Sequence, residues 1–180
     1  MARKALTSTV EDYLEAIYNI KEQKKVVRVK DIAKAMGVTL PTVSSMLNML
    51  AQKGLITHEK YEYVDLTPEG LRIGLNVKQR HNVLATFLRE ILKIDSRQAE
   101  EDACRMEHAI SPVTLEKLID FMKFIEECPR SGQSWLKHFE EYSTFCKSTD
   151  TLSKEICIRK MKGFMAEYKE KIKEMERKLQ

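Results

Sequence analysis

Asp31-Ile32-Ala33-Lys34-Ala35-Met36-Gly37-Val38, followed after Thr39-Leu40 by Pro41-Thr42-Val43-Ser44-Ser45-Met46-Leu47, decides how this chain folds. Small Ala33 lets a second helix approach closely. Gly37 stands where a helix would close in the left-handed conformation that glycine adopts without penalty. Pro41 falls in the first turn of the next helix, where its missing N–H costs little. The spacing predicts one helix over about 29–36 and another running to Lys53, closed by Gly54. Val43, Met46, Leu47 and Leu50 form the inward face of the second. Two short helices across a tight, glycine-closed turn make a helix-turn-helix.

Upstream, Ser8-Thr9-Val10-Glu11 has the form of a capping box. It opens a helix over about 9–22 with apolar Val10, Leu14, Ile17 and Tyr18. Downstream, Ile56 to Leu66 reads as two short β-prone runs around a polar turn, a small hairpin. Thr67-Pro68-Glu69 then starts a long helix over about 68–92. Helix, helix-turn-helix, hairpin, helix is the order of a winged helix-turn-helix domain. The second half is patterned entirely as helix. Segments are expected over about 97–110, 112–127 (apolar Val113, Leu115, Leu118, Ile119, Met122 and Ile125), 135–146, and from about 151 onward. The last carries Ile158, Met161, Met165, Tyr168, Ile172, Met175 and Leu179 at 3-4 spacing. That suits either a short coiled coil or a helix folded back on its own subunit. The expected architecture is therefore mainly α. A winged helix-turn-helix domain spans 1–76, an all-helical metal-binding and dimerisation domain 77–145, and an amphipathic C-terminal helix 146–180.

The 180 residues carry a net charge of +4. Residues 1–80 hold 13 Lys/Arg against 9 Asp/Glu, and residues 81–180 hold 18 of each, so the excess lies where a polyanion would dock. No apolar run of membrane-spanning length occurs, and the basic N-terminus has no apolar stretch behind it, so a cytoplasmic protein is expected. Cys104, Cys128, Cys146 and Cys157 are widely and irregularly spaced, which favours free thiols or ligands over disulfides.

Cys104-Arg105-Met106-Glu107-His108 places a thiol, a carboxylate and an imidazole at i, i+3 and i+4, on one helical face. That donor mixture suits a borderline transition metal better than Mg²⁺ or Ca²⁺. Alternatives at this point are a winged-helix regulator sensing a small molecule or oxidant through Cys104, a structural zinc site, and a metal-dependent hydrolase. No separate nucleophile–base pair supports the last, so no enzyme and no small organic substrate are expected.

Taken together, Val10-Glu11-Asp12-Tyr13-Leu14-Glu15-Ala16-Ile17-Tyr18, Pro41-Thr42-Val43-Ser44, Leu66-Thr67-Pro68-Glu69-Gly70, Arg80-His81 and Ala103-Cys104-Arg105-Met106-Glu107-His108 resemble the diphtheria-toxin-repressor family over about residues 7–128. These are metal-dependent repressors of iron or manganese homeostasis. The resemblance implies a homodimer binding a palindromic operator in double-stranded DNA, with Fe²⁺ or Mn²⁺ as cofactor. It implies regulatory-metal ligands at Asp12, Cys104, Glu107 and His108, so that metal joins the DNA-binding and dimer domains. Iron-type members have Met at the position of Asp12 and manganese-type members commonly have Glu at that of Cys104, so this chain mixes the two patterns. Ala85 stands where the iron-type second site has Glu, and Glu100 where it has His. A second site could be built only in another form, from Glu15, His81 and Glu100. Some iron-type members also append a small β-rich domain, whereas residues 129–180 are patterned as helix.

On the recognition helix, Thr39, Pro41, Thr42, Ser44, Ser45 and Asn48 face outward. They are small and polar, suited to hydroxyl, methyl and amide contacts with base edges and to reading DNA shape. Lys30 and Lys60, with Arg3, Lys4, Arg28, Lys34, Lys53 and His58, are candidates for phosphate contacts that position without specifying.

Overall fold

The computed structural model describes residues 6–58, 63–127, 132–143 and 151–178. The elements are α1 (Ser8–Gln23), α2 (Val29–Met36), α3 (Leu40–Gln52), β1 (Ile56–His58), β2 (Val64–Leu66), α4 (Pro68–Thr86), α5 (Ser96–Met106), α6 (Pro112–Glu127), α7 (Gly132–Glu141) and α8 (Thr151–Lys178). A π-helical turn, Phe87–Ile91, continues α4, so the expected single helix to residue 92 changes its winding at Phe87.

The local signals place the ends. Gly37 closes α2 at φ 65°, in the left-handed region. Thr67 Oγ1 accepts from the Gly70 N–H at 3.1 Å, capping α4, and donates to the Gly54 carbonyl at 2.8 Å. Asp95 Oδ1 accepts from the backbone N–H groups of Arg97 and Gln98 and caps α5. Ser111 Oγ does the same for α6 through Thr114. The expected capping box at Ser8 does not form. Helix α1 starts one residue earlier, its N-cap is Thr7 with no side-chain cap bond, and the Glu11 carboxylate is used elsewhere.

The chain divides into two compact units, Met1–Leu84 with Glu100–Ile110, and Ala85–Ala99 with Ser111–Gln180. Residue 76, the expected domain boundary, lies inside α4. In the first unit, Leu14 and Ile17 of α1, Ile32 of α2, and Val43, Leu47 and Leu50 of α3 are fully buried in one core with Ile56, Val64, Leu66 and Val77. Met46 and Tyr18, expected inward, pack at its edge. Strands β1 and β2 pair antiparallel with Ile56 opposite Leu66 and His58 opposite Val64. Val64 also bridges Val27, its N–H donating to the Val27 carbonyl at 3.0 Å, which pins the hairpin to the α1–α2 connection. An ion pair between Lys21 and Asp65 adds a second tie and holds the Asp65 carboxyl below its usual range.

In the second unit, Phe87 and Phe121 meet edge to face with ring centroids 6.4 Å apart. Of the apolar stripe expected on α6, only Ile125 is buried; Val113 is exposed, as are Phe121 and Phe124. On α8, Ile158 and Met165 are exposed. Cys128 and Cys146 lie outside the described residues. No described helix is long and apolar enough to cross a membrane.

Candidate metal centre

The C-terminal end of α5 meets α1 within the first unit. Three side chains converge there: Asp12 of α1, and Glu107 and His108, which directly follow α5. Each offers one ligand atom, and the three atoms lie within 4.8 Å of one another. His108 Nε2 is 2.7 Å from Asp12 Oδ1 and 3.4 Å from Glu107 Oε1. Glu107 is fully buried.

A buried carboxylate is retained only where something satisfies it. Glu107 Oε2 accepts from His81 Nδ1 at 2.8 Å. Glu107 Oε1 and His108 Nε2 are enclosed and have no hydrogen-bond partner; the approach of Nε2 to Asp12 is close but misdirected for a hydrogen bond. Two orphaned polar atoms, one oxygen and one nitrogen, beside the Asp12 carboxylate are what a divalent cation would satisfy. The O, O, N set also fits a transition metal.

The electrostatics agree. Burial raises the Asp12 carboxyl, opposed by the His108 imidazole and reinforced by Glu107 and Glu11. Burial also raises Glu15, with Glu107 adding to it. His81 is pushed up to about 9, chiefly by its hydrogen bond to Glu107; burial opposes this, and a second hydrogen bond to Glu100, Nε2 to Oε2 at 2.8 Å, adds to it. At His108 burial disfavours the charge, but the Glu11 hydrogen bond and the neighbouring carboxylates outweigh it and raise the group. Without a metal, the His81 imidazole supplies positive charge beside this acidic cluster.

Not every expected ligand joins the three. Cys104 is an exposed free thiol on the preceding turn, outside the cluster. Its pKa is raised by burial and then by Glu107, Asp12 and Glu15, whose charges it feels. Glu15 accepts a long 3.4 Å hydrogen bond from Asn19 Nδ2 and lies 3.8 Å from Lys78 Nζ. His81, Glu100 and Glu107 do come together, with Glu15 contributing charge. Two residues that the sequence reading did not place here are Glu11 and Arg80. Glu11 Oε2 accepts from His108 Nδ1 at 2.8 Å and from Arg80 Nη2 at 3.0 Å. Their position next to Asp12 and His81 was the available signal, but Glu11 also fitted a capping box.

The DNA-facing candidates sit as the helical period requires. Thr39 is the N-cap of α3, and its hydroxyl is 2.9 Å from that of Thr42. The Ser44 hydroxyl donates to the Leu40 carbonyl at 3.0 Å. Pro41, Ser45, Asn48 and Lys30 are exposed. Leu40, which was not among the expected contacts, is an exposed large apolar side chain at the same helix start. The Arg28 guanidinium lies over the Tyr63 ring, 5.9 Å from its centroid, just before β2. Lys60, Arg3 and Lys4 lie outside the described residues.

Comparison with known proteins decides the family. The model for the iron dependent repressor N-terminal DNA binding domain matches residues 5–64, and that for the iron dependent repressor metal binding and dimerisation domain matches residues 67–136. The chain belongs to the iron dependent repressor family. A Bacillus pumilus protein named HTH-type transcriptional regulator MntR is 36% identical over 67% of this chain and 83% of its own length. A Methanocaldococcus jannaschii HTH-type regulator is 34% identical over 66% of this chain and 95% of its own. Among solved structures, a manganese-dependent transcriptional repressor in complex with manganese is 31% identical with a TM-score of 0.59, covering 64% of this chain and 53% of that one. The manganese regulator SloR is 30% identical with a TM-score of 0.58, covering 69% and 58%. This chain thus spans a little over half the length of those solved repressors. The family consists of metal-dependent DNA-binding transcriptional regulators rather than enzymes.

Proposed function

We propose that this member is a cytoplasmic, homodimeric repressor of iron or manganese homeostasis that binds a palindromic operator when Fe²⁺ or Mn²⁺ is bound. In this reading Asp12, Cys104, Glu107 and His108 hold the regulatory metal. Glu15, His81 and Glu100 surround a second, weaker position. Residues 1–76 bind DNA and 77–145 serve metal binding and dimerisation. The observation that carries it is the pair of enclosed, unpartnered donors, Glu107 Oε1 and His108 Nε2, facing Asp12.

A bound metal would supply the dication that offsets these carboxylates, in competition with protons on its ligands. What it ties is α1 to the end of α5. Helix α1 shares its core with α2 and α3, so anchoring it restrains the recognition helix. A dimer reads two half-sites only when its recognition helices stand about 34 Å apart or a multiple of that. Ligand binding favours that arrangement by no more than its preference for it. The exposed apolar side chains Val113, Phe121 and Phe124 on α6, inside the segment matching a dimerisation domain, support a subunit interface there. The raised Cys104 pKa disfavours the reactive thiolate that redox sensing needs.

The deciding experiment is anaerobic capture of genomic DNA fragments by the purified protein with Fe²⁺, with Mn²⁺ and with chelator, followed by sequencing. Enrichment of a two-fold-symmetric site with metal and none with chelator is expected. Equal enrichment in all three would refute metal activation.

A further inference from the structure

We propose that Glu11 and Arg80 brace the metal centre from outside, fixing the His108 ring so that Nε2 faces Asp12 and Glu107. The inference deepens the metal-activation reading and rests on it.

Three chain segments meet at one oxygen. Glu11 Oε2 accepts from His108 Nδ1 at 2.8 Å and from Arg80 Nη2 at 3.0 Å. A carboxylate carries no proton, so Nδ1 must be the donor. On the neutral ring this leaves the lone pair on Nε2, the atom that has no hydrogen-bond partner and lies 3.4 Å from Glu107 Oε1. A carboxylate behind a ligating histidine selects its tautomer, aims its ring and raises its basicity. Glu11, Arg80 and His108 are all partly enclosed, with side-chain exposures of 19%, 23% and 15%. The guanidinium, through its single Nη2 hydrogen bond, holds Glu11 against the repulsion of the surrounding carboxylates. The residue order fits: in Glu11-Asp12 one neighbour braces while the other faces the metal position.

The test pairs Mn²⁺ affinity, read by competition with a fluorescent chelator, with ¹⁵N NMR of the histidine rings in metal-free protein at a pH where His108 is neutral. Wild type is expected to show His108 as the Nδ1–H tautomer. Glu11→Ala is expected to move it to Nε2–H and weaken Mn²⁺ binding about 10–100-fold. Glu11→Gln, whose amide oxygen still accepts, is expected to keep the tautomer and lose less affinity. Wild-type affinity in Glu11→Ala, or an unchanged tautomer there, overturns the brace and leaves metal activation standing. A wild-type protein that binds no Mn²⁺ or Fe²⁺ overturns the metal reading itself. If Glu11→Ala does not fold, Arg80→Met decides: weakened Mn²⁺ binding partly recovered in Arg80→Lys supports the brace, and unchanged binding overturns it.

Discussion

Glu107 and His81 are joined by a 2.8 Å hydrogen bond that occupies one oxygen of a fully buried carboxylate and leaves the other facing His108. This division of one side chain between a permanent partner and a vacant lone pair organises the site. The imidazole offsets part of the cost of burying Glu107, and the remaining oxygen stays available to a cation.

Asp12 offers an oxygen to the three-atom cluster but little to the core, since it is only half-buried. Asp12→Ala should leave a folded protein whose DNA binding no longer responds to Mn²⁺ or Fe²⁺. Its loss of metal affinity should exceed the roughly 10–100-fold typical of removing an outer-sphere partner. Fluorescence anisotropy with operator DNA, with and without chelator, checks this; an unaltered metal response would remove Asp12 from the ligand set.

Cys104 lies outside the three-atom cluster, yet it feels the charges of Glu107, Asp12 and Glu15. A dication there would reverse the effect and favour the thiolate. Anaerobic Co²⁺ titration should therefore give a sulfur-to-cobalt charge-transfer band that Cys104→Ser abolishes. A band-free wild-type spectrum would assign the centre to oxygen and nitrogen donors alone.

His81 makes the metal-free protein pH-dependent. Its folded pKa of about 9 lies above its unfolded value of about 6.5. The stabilisation is therefore fully present below pH ~6.5 and is lost as pH rises through ~9, amounting to no more than about 3 kcal/mol. The groups facing it are Glu107 and Glu100 from the α5 segment and Glu15 from α1, with Lys78 on its own helix paired to Glu15. Urea melts in chelator should show stability declining across that window, and His81→Gln should flatten the profile.

Gly70 lets the start of α4 touch the α3–β1 connection. A Cβ there would lie 1.9 Å from the Leu55 carbonyl oxygen, a backbone atom that cannot swing aside. Gly70→Ala should cost at least about 1–3 kcal/mol in chemical denaturation. Gly163, in α8, meets nothing within 4 Å, and Gly163→Ala should be neutral or stabilising by up to about 1 kcal/mol.

On DNA, Asn48 and Lys30 should behave differently. Asn48→Ala should cost about 1–3 kcal/mol on the cognate operator and relax selectivity at one base pair. Lys30→Ala should weaken all sequences alike and reduce the salt slope by about 1. Binding titrations at several salt concentrations on cognate and substituted operators separate the two.

The order of elements was written in local signals. Gly37 and Pro41 act through their own backbone, and Thr67 and Asp95 through side chains that cap nearby N–H groups, so α2, α3, α4 and α5 begin or end where short-range chemistry puts them. The i, i+3, i+4 spacing predicts one face for Cys104, Glu107 and His108, but α5 ends at Met106, and Cys104 is exposed while Glu107 is fully buried. The sequence also supplied Asp12, but only through likeness to a family, because nothing local links residues nearly a hundred positions apart. Tertiary structure decided the rest. Packing brought Asp12 to His108, turned Glu11 from a helix cap into a partner of His108 and Arg80, and left Cys104 outside the cluster. It also left Val113 of the α6 stripe exposed and buried only Ile125 fully, with the other four stripe residues half-buried. Helical periodicity specifies which residues share a face. What that face meets, and which oxygen of a carboxylate is left without a proton, depends on side chains that only the folded chain makes neighbours.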